Sequence, residues 1–103
     1  MSLLIKPGVN LSGIRPEMVL AVFVVVSVYE EHGWVCTITS ATDGVHMPGS
    51  LHVRGQACDF RTKDFPNQPG GAHQLADQIS ACLGRDFDVV LEKDHLHVEF
   101  DPK

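Results

Sequence analysis

The chain is poor in cysteine and in positive charge. Its three cysteines, Cys36, Cys58 and Cys82, are an odd number, and each lies among apolar neighbours. This pattern favours reduced core thiols over a disulfide framework, and we expect synthesis in the cytoplasm. Eight Lys and Arg residues against 13 Asp and Glu residues give a formal net charge of −5, and the basic residues form no cluster. Because phosphate binding needs a basic surface, nucleic acid is not an expected partner.

Long apolar runs are also lacking. Residues 18–29 carry no full charge, but this stretch of 12 residues is shorter than the roughly 20 that span a bilayer. The sequence that follows it, Glu30-Glu31-His32, offers no small-residue cleavage site for a signal peptide. We therefore expect a buried element here, no membrane insertion, and no signal peptide belonging to the chain itself.

The composition is typical of one soluble globular domain. With 103 residues, 44% of them hydrophobic and 20% charged, the chain has room for a single small core, and it contains no internal repeat or linker. We assign residues 1–103 to this one domain. A helix is predicted over residues 16–32, because Pro16 suits a first helical turn and Gly33 can end it. A second, amphipathic helix is predicted over residues 72–83.

Four strands are predicted besides the helices. Residues 34–40 and 57–62 form the first two, and residues 88–92 and 95–100 form a hairpin. The order of helix, two strands, helix and two strands predicts an α+β fold, in which a small and mainly antiparallel sheet packs with two helices.

Ionisable and apolar residues alternate in the last strand. Because residues two apart in a strand point to the same side, His95, His97 and Glu99 share one face and Leu96 and Val98 share the other. The apolar face is expected in the core, and the ionisable face is expected to line a cleft.

A second ionisable segment precedes this strand. By the same alternation Asp59 is set apart from its apolar neighbours and can face His97 across adjacent strands. His52 lies in the predicted long loop that precedes the Asp59 strand. Two imidazoles and one carboxylate are three ligands for a divalent metal, with a fourth position left open, as in hydrolytic zinc sites. His95 also stands at ligand spacing, two residues before His97.

The first segment resembles a motif of the zinc DD-carboxypeptidase family, which includes the L-alanyl-D-glutamate endolysins of phage. The family pattern is Ser-x-His-x-x-Gly-x-Ala-x-Asp, and it is matched by Ser50, His52, Gly55, Ala57 and Asp59. The resemblance implies the fold shared by these peptidases and the hedgehog signalling domain. It also implies one zinc ion per chain and hydrolysis of cell-wall peptides next to a D-amino acid.

The segment Asp94-His95-Leu96-His97 resembles the family's second element, acid-x-x-His. The resemblance makes His52, Asp59 and His97 the zinc ligands and Asp94 the general base, with Glu92 as the alternative base. In a regular strand Asp94 would point away from His97, so we expect a turn or bulge at residues 93–94.

The resemblance makes His95 a group that either supports the metal ligands or stabilises the transition state. His46 lies in the loop before the first motif and is a candidate to stabilise charge that develops on the substrate carbonyl. Ser50 and Arg54 are candidate substrate-binding residues. Several relatives carry an arginine just after the strand that precedes the loop. Residues 40–43 contain none, so Arg54 or Arg61 is a candidate substitute. Proteins of this kind without a signal peptide reach the cell wall by other means.

Two other functions fit the same ligands. The hedgehog domains show that the fold permits a non-catalytic, zinc-stabilised binding or assembly module. A nonhaem iron oxygenase also uses two histidines and one carboxylate, but the chain has too few strands for the barrel of those enzymes.

Overall fold

The computed structural model describes residues 2–43, 54–63, 65 and 71–103. The elements in this part of the chain are β1 (Leu3–Ile5), α1 (Pro16–Glu31), β2 (Cys36–Ser40), β3 (Ala57–Arg61), α2 (Ala72–Leu83), β4 (Phe87–Leu91) and β5 (His95–Phe100). The strands form one sheet in the order β1-β2-β3-β5-β4. This confirms the α+β class with two helices.

The sheet is mixed, because β1 pairs with β2 in parallel while the other three strand pairs are antiparallel. The sequence prediction omitted β1. A strand of three residues has no periodic signal of its own, and this one is stabilised by pairing with residues more than 30 positions away.

Helix α1 supplies seven of the 17 buried hydrophobic residues in the described part of the chain, although its many valines favour strands when considered alone. It begins at Pro16, directly after an extended Arg15, and a turn with positive φ at Gly33 follows it. Its inward side is fully or almost fully buried, and the residues on that side are Met18, Ala21, Val22, Val25, Val26, Val28 and Tyr29. The predicted helix is confirmed, but it is buried on one side only, because Val19, Leu20 and Phe23 are exposed. None of the helices among the described residues is both long and apolar enough to cross a bilayer.

Strand β2 begins at Cys36, two residues later than predicted. Trp34 lies between two rings instead of in the sheet: it stacks on His32 at a centroid distance of 4.6 Å and on Phe65 at 4.2 Å. The amide of Trp34 donates to the carbonyl oxygen of Tyr29, which ties the turn after α1 to the helix. Aromatic stacking and the helix end therefore delay the start of the strand.

All three cysteines are free thiols, but only two of them lie in the core. Cys36 and Cys58 are fully buried, and burial raises the pKa of each thiol to about 12. The expectation of a core position is wrong for Cys82, which is exposed. The buried residues of α2 are Leu75 and Ile79, and Leu83 continues this i, i+4 row against the core. Cys82 directly precedes Leu83 and is not part of this buried row, so its side chain faces solvent.

Candidate metal centre

The candidate site lies on the face of the sheet opposite the helices, where β3 pairs with β5. The antiparallel register places Asp59 opposite His97 and Arg61 opposite His95. Directly paired residues project from the same face of a sheet. The alternate residues project into the core, and each of these is fully buried: Cys58, Phe60, Leu96 and Val98. The predicted division of both strands into an apolar and an ionisable face is confirmed.

Asp59 and His97 are in direct contact. The Oδ1 atom of Asp59 lies 2.9 Å from Nδ1 of His97, and the two side chains are only 15% and 20% exposed. The hydrogen bond to Asp59 raises the pKa of His97, and Glu99 adds to this effect, while partial desolvation opposes it. The contact thus joins an imidazole and a carboxylate, two ligand types of hydrolytic zinc sites, in a partly buried position.

The second ring nitrogen of His97 has a partner of its own. Nε2 lies 2.9 Å from Oε1 of Glu99, so this carboxylate can accept the Nε2 proton. Metal-bound histidines generally donate their other N–H to such an acceptor, which fixes the ring orientation and the tautomer. Sequence reasoning placed Glu99 on this face but gave it no role. The signal was its spacing two residues after the predicted ligand.

The spacing of the hydrogen-bonded pair is close to that of two ligands on a tetrahedral metal ion. With bonds of about 2.0 Å, two ligands of such an ion lie roughly 3.3 Å apart. The observed separation of 2.9 Å between Asp59 and His97 is shorter by less than half an ångström. A small side-chain rotation would therefore open the pair around an ion. The third predicted ligand, His52, lies outside the described residues, as do His46 and Ser50.

Asp94 and His95 extend the cluster along β5. Asp94 lies in the bend between β4 and β5, which confirms the expected turn, and its Oδ1 is 2.8 Å from Nδ1 of His95. The side chain of Asp94 is 64% exposed, and the hydrogen bond from His95 lowers its pKa. The carboxylate is therefore ionised at neutral pH. Nε2 of His95 points toward Asp59, 3.9 Å from its Oδ2 atom. His95 thus lies between the two carboxylates.

Backbone contacts hold the bend in place. The amide of Thr62 donates to the carbonyl oxygen of Asp94, and the amide of Glu92 donates to that of His95, which closes the hairpin. The Glu92 side chain is exposed, and among the described residues its carboxylate makes no hydrogen bond. This geometry supports Asp94 over Glu92 as the candidate base, because Asp94 is the acid that contacts the cluster.

The structure explains why the first motif has small residues at Gly55 and Ala57. Gly55 has a positive φ of 73°, and a Cβ atom there would overlap the carbonyl oxygen of Gly13. The carbonyl oxygen of Gly55 accepts a hydrogen bond from the amide of Arg15, so the motif is fastened to the start of α1. Ala57 is fully buried. These residues set the path by which the chain enters β3 and reaches Asp59.

The candidate substrate-binding arginines differ in position. Arg54 is exposed in the turn before β3. Arg61 lies at the end of β3 and lines a cavity together with Asp59, Asp94 and His95. Among the described residues Arg61 is thus the arginine that shares a cavity with the candidate site.

A second acidic group lies nearby on the same sheet. Ligand atoms of Asp88, Glu99 and Asp101 all lie within 4.8 Å of one another. Nζ of Lys103 already contacts this group, at 3.1 Å from Asp88 and 3.4 Å from Asp101. A lysine ammonium therefore supplies positive charge to this cluster.

The sequence resemblance to the zinc DD-carboxypeptidases rests on the two motifs. Gly55, Ala57, Asp59, Asp94 and His97 lie in the described part of the chain, and Ser50 and His52 lie outside it. The chain matches no family model, no curated protein and no solved structure.

Proposed function

We propose that this chain is a zinc-dependent peptidase that hydrolyses a peptide bond next to a D-amino acid in bacterial cell-wall peptides. The observation that carries the proposal is the 2.9 Å contact between Asp59 and His97 on adjacent strands. It joins the last ligand of the first motif to the last ligand of the second. The cell-wall substrate and the D-amino acid rest on the motif resemblance.

His52, Asp59 and His97 would hold the zinc ion. When bound, zinc polarises a carbonyl oxygen and makes water more acidic, which are the two requirements of amide hydrolysis at neutral pH. With zinc bound, Glu99 would accept the Nε2 proton of His97, and Nδ1, which donates to Asp59 in this structure, would lose its proton and become the ligand atom.

Asp94 is the proposed general base. It is ionised at neutral pH, because the hydrogen bond from His95 lowers its pKa. A carboxylate in this form accepts a proton from the attacking water and returns it to the leaving amine. His95 lies between Asp94 and Asp59, with Nδ1 2.8 Å from Asp94 and Nε2 3.9 Å from Asp59. A ring N–H of His95 that turns to the substrate would donate to the carbonyl oxygen as negative charge develops on it.

The test combines zinc analysis with digestion of peptidoglycan fragments, followed by mass spectrometry of the products. In Asp94→Ala we expect zinc content to stay at the wild-type level and turnover to fall about 10²- to 10⁴-fold, the usual contribution of a general base. Glu92→Ala is the comparison variant, with a milder expected effect. The reverse order would make Glu92 the base.

The wild-type protein distinguishes an enzyme from a binding module. Tight zinc binding without release of any fragment from a broad panel of cell-wall peptides would contradict the proposed activity. It would favour a zinc-stabilised binding or assembly domain instead.

A further inference from the structure

Helix α1 is apolar on its outer side as well as on its inner side. Val19, Leu20 and Phe23 are 40%, 67% and 49% exposed, and they follow one another at helical spacing on the side that faces solvent. A helix that is apolar on all sides is typical of a position that is covered on all sides, because exposed apolar surface is unfavourable in water. The outer side of α1 therefore has the composition of a contact surface.

Helix α2 provides the comparison within the same layer. It contacts α1 on the same face of the sheet, and its outer side exposes His73, Gln74, Asp77 and Ser80. None of the large apolar residues of α2 is exposed. The apolar outer side is thus a property of α1 and not of the helical layer as a whole.

The exposed side of α1 continues into a groove of about 340 Å³ between this helix and the chain that leads from α2 into β4. Its apolar lining residues are Leu20, Val24, Leu83, Phe87 and Phe100. Arg85 and Asp86, which are both exposed, add charged groups to the lining. An apolar centre with charged groups beside it is the usual anatomy of a surface that binds protein.

The two ends of this apolar face carry opposite charge. Arg15 precedes the first turn of α1 and is 49% exposed, with its Nε 3.5 Å from a carboxylate oxygen of Glu17. Glu30 and Glu31 form the exposed last turn, and Glu30 also accepts a hydrogen bond from the amide of Ser2. Arg15 and Glu31 stand eight positions before and after Phe23, which is about 12 Å along the helix on either side.

This arrangement is complementary to itself. When a second copy of α1 lies antiparallel on the first, with a twofold axis at Phe23, the basic end of each helix lies beside the acidic end of the other. A twofold contact uses the same surface on both partners in this manner. A lipid surface suits the patch less well, because the acidic last turn and the net charge of −5 oppose binding to anionic lipids.

We infer that two copies of this chain associate through the outer faces of α1, with the two helices antiparallel around a twofold axis at Phe23. A helix face about 24 Å long and about 10–12 Å wide is smaller than the roughly 800 Å² per partner of a standard interface. The dimer is therefore transient, with a Kd on the order of 10–100 µM. The candidate metal site lies on the opposite face of the sheet and stays open to solvent in this dimer.

Sedimentation velocity of the full chain between about 1 µM and about 1 mM measures this association, since the range includes the expected Kd. The average mass of the wild type should rise from one copy toward two. Leu20→Glu should raise Kd at least about tenfold, because it places a carboxylate within the apolar contact. Ser80→Glu is the matched control: it adds the same charge to an exposed position on α2 and should leave Kd within about twofold of the wild type. Circular dichroism checks that both variants are folded.

Charge reversal tests the direction of the helices. Arg15→Glu should weaken association about threefold or more, and the addition of Glu31→Arg in the same chain should restore it, because antiparallel helices bring these two ends together. Parallel helices would bring like ends together, so the second substitution would restore nothing. Lack of restoration would overturn the antiparallel arrangement.

The remaining outcomes are equally decisive. The mass of a single copy at every concentration would overturn the inference, as would equal effects of Leu20→Glu and Ser80→Glu. A protein that stays monomeric but sediments with vesicles of phosphatidylcholine and phosphatidylglycerol would also overturn it and assign the face to a lipid surface. The inference does not depend on the proposed peptidase activity: Leu20→Glu should keep the zinc content and the cleavage rate per chain of the wild type, so loss of the dimer and loss of activity are distinguished.

Discussion

The role of Glu99 can be tested by its removal. Oε1 of Glu99 lies 2.9 Å from Nε2 of His97, and both side chains are about one-fifth exposed. A hydrogen bond that involves a charged group contributes about 1.5–3 kcal/mol when it is shielded from water. At about 1.4 kcal/mol for each factor of ten, this corresponds to roughly a 10- to 100-fold change in zinc affinity. Removal of an outer partner of a metal-bound histidine has the same usual range.

We therefore expect Glu99→Ala to weaken zinc binding about 10- to 100-fold. Glu99→Gln should fall between this variant and the wild type, because an amide oxygen still accepts the Nε2 proton but carries no charge. Competition with a chromophoric zinc chelator measures the affinity. The ¹⁵N shifts of His97 report independently whether the Nε2 proton remains in place.

Asp101→Ala is the matched control for this experiment. It removes one carboxylate from the same acidic group, but among the described contacts Asp101 is paired with Lys103 and not with His97. Its zinc affinity should stay within about threefold of the wild type, since exposed charges contribute little. Equal losses in the Glu99 and Asp101 variants would refute a specific orienting contact and indicate a general effect of charge.

Two further predictions concern the scaffold. Gly55→Ala should lower the free energy of unfolding by at least about 2 kcal/mol more than Gly33→Ala, as measured by urea denaturation. Both glycines have φ near 74°, but only at Gly55 would a Cβ atom overlap another backbone atom; equal losses would contradict the close approach of Gly55 to Gly13. In the native protein at neutral pH a thiol reagent should modify Cys82 alone, because burial raises the pKa of Cys36 and Cys58 to about 12; modification of more than one thiol before unfolding would contradict the buried positions.

The sequence contained enough information to predict the face of the candidate site. Alternation of His95, His97 and Glu99 with buried residues specified one side of β5, and the same rule placed Asp59 opposite His97. Such patterns are reliable because a one-residue shift would expose the apolar side chains of the strand. The bend at Asp94 was also predictable, since a regular strand would have directed this acid away from its partners.

Other features depended on contacts between distant parts of the chain. Strand β1 exists through its pairing with β2, and Lys6, which follows β1, lines the same cavity as Arg61 of β3. Lys6 and Arg61 are 55 positions apart, and neither residue has a local pattern that indicates the other. The stack of Trp34 on Phe65 likewise arises from tertiary packing, which overrides the strand tendency of its segment.

The most direct test of the proposed metal centre is a crystal structure of the zinc-loaded protein with anomalous diffraction at the zinc edge. We predict one zinc ion per chain, bound by His52, Asp59 and His97 with ligand distances of about 2.0–2.2 Å. A zinc ion bound instead by Asp88, Glu99 and Asp101, or a zinc site from which Asp59 or His97 points away, would contradict the assignment.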